Sequence, residues 1–164
     1  MNRILYSIFL LFPLFQGLSQ NSETAKVTVR VNVIEPIKIT KSVDLDFGNV
    51  ISAFNPGTVT LSPDGSRVAN GVQISSTFPG NVSPAEARVS HGNNKYSITL
   101  PQSFTLYSQA DPNQVILITN FNVAPNSGDL IDVLQICATL NLEANQHSGF
   151  YTNSEGFNVT VSYN

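Results

Sequence analysis

An all-β, antiparallel sandwich or barrel is the fold this sequence predicts, on three observations. Several segments alternate apolar and polar residues with period two, often on β-branched side chains. Turn signals recur about every 8–12 residues. After residue 20, no window of about 11 residues repeats apolar side chains at three and four. A parallel sheet would need crossover helices, which this pattern does not supply. The 164 residues allow one domain. A 41 % hydrophobic, 12 % charged composition excludes a disordered chain. Eight Lys and Arg against eleven Asp and Glu, for a net charge of -3, exclude a strongly basic nucleic-acid binder.

The elements follow in order. Lys26–Ile34 places Val27, Val29, Val31 and Val33 on one face and Thr28, Arg30 and Asn32 on the other, which predicts a half-buried first strand held by its valines. Pro36 stops its ladder, and Ile37–Thr40 continues it briefly. Asp44–Gly48 is a short extended piece with Leu45 and Phe47 inward. Thr58–Leu61 leads into Ser62–Pro63–Asp64–Gly65–Ser66, a turn because Pro presets φ and Gly accepts positive φ. Arg67–Ala69 and Val72–Ser75 return, with an irregularity at Asn70–Gly71. Ala87–Ser90, Tyr96–Leu100, Phe104–Tyr107 and Val115–Phe121 follow, with turns at Asn93–Asn94 and Asp111–Pro112–Asn113.

The last two strands are the clearest. Leu134, Ile136, Ala138, Leu140 and Leu142 alternate with Gln135, Cys137, Thr139 and Asn141. Phe157, Val159, Val161 and Tyr163 alternate with Asn158, Thr160 and Ser162, which predicts one core face and one wet face. Tyr163 is expected to be tied down through its ring and hydroxyl, beside a neighbour at Ile136–Leu142. The total is about eight or nine short strands, read as a self-complete domain.

The N-terminus differs from the rest. Met1–Asn2–Arg3 carries one positive charge, Ile4–Phe15 is apolar apart from Tyr6, Ser7 and Pro13, and Gly17 and Ser19 are small. This is the pattern of a secretory signal peptide cleaved after Ser19, with residues 20–164 as a single β-sandwich domain. The apolar run is too short for a spanning helix of roughly 20 residues, and no later stretch reads as a membrane span. Export to the periplasm, the cell surface or beyond is expected. The single cysteine, Cys137, excludes an intrachain disulfide.

Asp44–Leu45–Asp46–Phe47–Gly48 after an N-terminal strand, Thr58–Gly65 at short spacing, and the closing Gly149–Phe150–Tyr151–Thr152 and Phe157–Asn164 together resemble a family of secreted bacterial proteins known only as a domain of unknown function, number 4402. The C-terminal Gly, the Tyr and the alternating strand with a penultimate Tyr are similar, more loosely, to fimbrial subunits of the chaperone–usher type and to spore-coat-like pilus proteins. That resemblance implies an immunoglobulin-like, pilin-like sandwich with a role in surface fibres. The chain departs from these patterns in a longer Tyr151–Phe157 stretch and in Cys137, where Gly is more usual. Neither resemblance brings catalytic residues with it.

Chemistry-bearing residues read as structural. Asp44 and Asp46 share a strand face, but Ca²⁺ takes six to eight oxygen ligands and no Asp-rich loop surrounds them. Asp129 and Asp132 flank Gly128 and suit side-chain-to-backbone turn bonds. His91 and His147 sit in no metal-ligand spacing and are expected on surface loops. Ser90–His91 and His147–Ser148 are adjacent residues that face opposite ways, so neither is a ready dyad. There is no G-x-S-x-G elbow. Cys137 is expected to be buried. No catalytic, cofactor-binding or metal-binding residue is assigned, and no cofactor is expected.

The function expected is therefore a secreted, non-enzymatic structural or fimbrial-like protein of a bacterium, in adhesion or fibre assembly. Its expected partners are other copies or surface proteins. The alternative is a carbohydrate-binding module using loops at one end of the sandwich. An exposed groove between sheet edges favours the first; a shallow loop site with exposed aromatics favours the second; a cleft with paired carboxylates or a Ser–His contact favours a hydrolase.

Overall fold

A computed structural model describes residues 21–126, 128 and 130–164, leaving out the side chain of Asn126. The signal-peptide assignment (residues 1–19) and the turn role of Asp129 lie outside the described residues.

The compact β unit runs from Val33 to Asn164. Its described residues form twelve strands: β1 (Lys38–Val43), β2 (Val50–Ile51), β3 (Gly57–Leu61), β4 (Arg67–Asn70), β5 (Gln73–Ile74), β6 (Ala85–Ser90), β7 (Tyr96–Thr99), β8 (Ser103–Ser108), β9 (Val115–Asn126), β10 (Ile131–Leu142), β11 (Tyr151–Thr152) and β12 (Thr160–Tyr163). All pairings are antiparallel, and the all-β, sandwich-like fold is as expected. The main sheet runs β1-β6-β10-β9-β8-β11, with the β3–β4 hairpin attached to β10. Two ribbons, β12–β7 and β2–β5, complete the fold.

β10 is the hub. One edge pairs first with β6, Ile131 to Ile136 against Ser90 to Ala85, and then with β3, Thr139 to Leu142 against Thr60 to Gly57. Its other edge pairs with β9 along most of its length, and the register slips between Cys137 and Thr139. Across that slip β9 spends one residue more than β10, and Asn120 lies there at φ 52°. Asn tolerates the left-handed region, and a bulge bends and twists its strand. Beside it Phe121 touches both core clusters, as does Leu45. One cluster gathers Phe47, Val59, Leu61, Ile118 and Leu140; the other gathers Ala85, Ala87, Val89, Leu134 and Ile136.

The local turn chemistry agrees with the residues. Gly65 sits at φ 80° and its N–H donates to Ser62 O at 3.0 Å, while Asp64 Oδ1 accepts from the Ser66 N–H at 2.9 Å. Gly71 sits at φ 76° between β4 and β5, where a Cβ would come within 2.7 Å of Pro56 O. Asn113 N donates to Asp111 Oδ1 at 3.0 Å.

Two expectations need correction. Lys26–Ile34 is in no strand: Val27, Val29, Val31 and Val33 are 83–87 % exposed. Alternation qualifies a segment to be a strand with one apolar face; it does not supply a ladder partner. Second, the C-terminal strand pairs with β7, Tyr163 opposite Tyr96 and Thr160 opposite Thr99, rather than with Ile136–Leu142. Along β10, Cys137 is buried as expected, and Thr139 is buried with it beside Ile136, Ala138 and Leu140. The polar groups there are satisfied, Thr139 Oγ1 by Thr60 Oγ1 at 3.1 Å and the Asn141 amide by Leu117 O at 2.9 Å. The alternation of Phe157–Tyr163 itself holds, each odd-numbered side chain half-buried and each even-numbered one exposed.

Candidate functional site

A groove of about 690 Å³ opens beside β1. Its base is apolar because Ala85 and Ala87 of β6 and Ile136 of β10 point into the core from adjacent strands. Small alanines leave depth where larger side chains would fill it. Phe104, Leu106 and Ile118 extend the base, and Ile39 and Val43 of β1 form one wall. Phe157 and Val159 form the other wall, before β12. Phe157 is held by its rings' neighbours, 4.9 Å from Phe121 and 5.8 Å from Phe104 between centroids. Phe150, 67 % exposed, stands at the mouth. Lys41, Asp44, Asp46 and Glu155 supply the charged border.

Of β1, Ile39, Lys41 and Val43 line the groove; on its other side Phe157 and Val159 do, and β12 begins just beyond them. Among the described residues β1 pairs only with β6, and β12 only with β7. Each therefore keeps one edge of backbone N–H and C=O groups without a ladder partner. The two strands run in opposite directions: the Tyr163 hydroxyl at the end of β12 donates to Glu35 O, just before β1, at 2.8 Å, while Val43 at the end of β1 shares the groove with Phe157. The same hydroxyl lies 3.2 Å from His91 O. Tyr163 is thus tied down as its position implied.

Next to that tie sits a polar cluster that the sequence did not announce. His91 was expected on a surface loop; it is buried, 9 % exposed. Asp132 Oδ2 accepts from the Tyr96 hydroxyl at 2.6 Å and lies 3.5 Å from His91 Nε2, and its Oδ1 accepts from Gly128 N at 2.9 Å. The His91 and Tyr96 rings are 5.3 Å apart. The bond from Tyr96, with help from the Gly128 N–H and His91, holds the Asp132 carboxyl below the usual carboxylate range. Burial, then the bond to Asp132 and its charge, push the Tyr96 phenol up. Asp132 thus does the backbone-bonding work expected of it and joins β10, β7 and the end of β6 as well.

These shifts fix a pH dependence. A carboxyl whose pKa is depressed on folding stabilises above the unfolded value, about 3.9, and that contribution is lost as pH falls through the folded value. A phenol whose pKa is raised on folding loses its contribution as pH rises above about 10. Urea unfolding is expected to give stability that falls on both sides of a neutral plateau. Asp132→Asn is expected to cost about 1.5–3 kcal/mol at neutral pH and to flatten the acid limb. An unchanged acid limb in that variant would contradict the assignment.

The remaining candidates are structural. Asp44 pairs with Lys41 at 2.6 Å on the surface, and Asp46 Oδ1 accepts from Gly48 N at 2.8 Å. Phe47 is buried and Leu45 packs inward, as expected. His147 is exposed and contributes its carbonyl, which accepts from the Tyr151 hydroxyl at 2.8 Å. Cys137 is buried, and burial raises its thiol pKa. Among the described residues no three His, Cys, Asp or Glu side chains are gathered to hold a metal, and no helix is long and apolar enough to cross a membrane. Exposed Phe54 and Phe78 lie beyond opposite ends of the β2–β5 ribbon: Phe54 follows Ile51, while Phe78 O is held by the Asn49 amide.

A family profile described as "Domain of unknown function (DUF4402)" matches residues 37–163. Comparison with curated proteins and with solved structures gave no match.

Proposed function

The chain belongs to the DUF4402 family, and on that premise we propose that it is a non-enzymatic structural subunit, exported by a bacterium and built into surface assemblies with other copies. The observation that carries this reading is the apolar groove beside β1, a strand with one edge unpaired among the described residues, walled on its other side by Phe157 and Val159. An apolar base flanked by unpaired backbone groups suits an extended polypeptide: main-chain bonds at the edges give affinity, and the base receives alternate side chains. The Met1–Ser19 leader supports export. The carbohydrate-binding alternative draws less support, because Phe54 and Phe78 flank opposite ends of a ribbon and so form no shared stacking platform.

Sedimentation velocity of Gln20–Asn164 over a rising micromolar series tests the reading. Species larger than a monomer, growing with concentration, are expected. A single monomeric boundary throughout the series would contradict it.

A further inference from the structure

We infer that the groove beside β1 binds a small cationic amphiphile, an apolar body that carries an ammonium head. Such binding is a property of the single chain and does not depend on assembly.

Size and lining set the body of the ligand. A volume of about 690 Å³ falls within the roughly 300–1,000 Å³ of small-molecule sites. The floor is made by Ala85, Ala87, Phe104, Leu106, Ile118 and Ile136. None of these side chains offers a hydrogen bond, so a hydroxyl-rich ligand gains nothing there and an apolar one is rewarded by burial. The two alanines end at Cβ, which leaves depth for a chain or a ring.

Charge sets the head. One cation, Lys41, lines the groove with four carboxylates, those of Asp44, Asp46, Glu86 and Glu155. Lys41 is already paired with Asp44 at 2.6 Å. Glu86 alternates with the two alanines, so the pleat of β6 turns its side chain to the opposite face of the sheet. That leaves Asp46 and Glu155 to meet a ligand. Asp46 Oδ1 accepts from the Gly48 N–H, a neutral donor that does not cancel its charge. Glu155 pairs with no described cation, and its own N–H donates to Asn153 Oδ1 at 3.1 Å, which holds the turn that carries it. A border of this sign repels an anionic head and attracts an ammonium. The rings act in the same direction. Phe150, 67 % exposed, stands at the mouth with Tyr151 and Phe157 along the same wall. A cation over an aromatic face is attracted by the ring quadrupole, and quaternary ammonium groups are the usual beneficiaries.

The test is calorimetric titration of Gln20–Asn164, at the lowest concentration of the sedimentation series, with decyltrimethylammonium, decyl sulfate and tetramethylammonium, each below any micelle concentration. Decyltrimethylammonium is expected to bind more than about tenfold more tightly than decyl sulfate, the same chain with the opposite head. It is expected to exceed tetramethylammonium, the head without the chain, by a larger factor. Glu155→Lys is expected to weaken the ammonium about tenfold and to remove the preference over the sulfate. Phe150→Ser is expected to weaken it about fivefold. Both positions are exposed, so neither variant puts the fold at risk. Amide NMR shifts on binding are expected at Ala87, Phe150 and Phe157. Equal affinity for the two decyl ligands, an ammonium affinity that both variants leave unchanged, or shifts centred on Phe54 and Phe78 would overturn the inference. A chain that stays monomeric but shows the ammonium preference would keep this inference and lose the assembly reading. A chain that assembles without that preference would lose this inference alone.

Discussion

Removal of Phe157–Asn164 is expected to leave a chain without a cooperative unfolding transition. Phe157, Val159 and Val161 pack against the cluster of Ala85, Ala87, Val89, Leu134 and Ile136. Full burial of such a side chain contributes about 1.5–3 kcal/mol, and these are half-buried, so the three together contribute several kcal/mol. A domain of this size is stable by only about 5–15 kcal/mol. The deletion also removes the sole strand partner of β7 among the described residues, the Ser97–Ser162 hydroxyl contact at 3.0 Å, and the Tyr163 bond to Glu35 O. β7 would become a bare edge over an uncovered core, which invites aggregation. Circular dichroism melts and light scattering check this. A monomeric truncated chain with an unchanged melting temperature would show that β12 does not hold the second cluster.

The second large effect is at Leu134. Its side chain is wholly buried, in the part of β10 that pairs with both β6 and β9. Leu134→Ala is expected to cost about 2–5 kcal/mol, the upper part of that range if neighbouring strands cannot close over the space. Leu117, 43 % exposed on β9, is the internal control: Leu117→Ala is expected to cost under about 1 kcal/mol. Equal costs in chemical denaturation would mean that β9 and β10 have exchanged their inward faces.

Strands with a wet face were readable because alternation records which side meets water. Phe157–Tyr163 is the plainest case, and the turns at Asp64–Gly65 and Asp111–Asn113 follow from residues that bond their own backbone. The burial of Thr139 on β10 does not follow from alternation: it is polar, and the Thr60 hydroxyl that satisfies it lies 79 positions away in the chain. β2 and β11 are two residues each, too short to carry a period. His91 was misread for a related reason. Its neighbour Asp132 lies 41 positions away in the chain, so no local motif marks the cluster. The groove depends on β1 and the stretch of Phe157 and Val159, near opposite ends of the compact unit, lying across from one another. That is a tertiary relation no local pattern encodes. Lys26–Ile34 is the reverse case: a strand signal with no ladder partner among the described residues.

Hydrogen–deuterium exchange on Gln20–Asn164 at the lowest and the highest concentrations of the sedimentation series tests the central claim most directly. Amides on the free edge of β1 are expected to be protected at the high concentration and to exchange freely at the low one. Identical exchange at that edge at the two concentrations, or protection confined to the loops carrying Phe54 and Phe78, would contradict it.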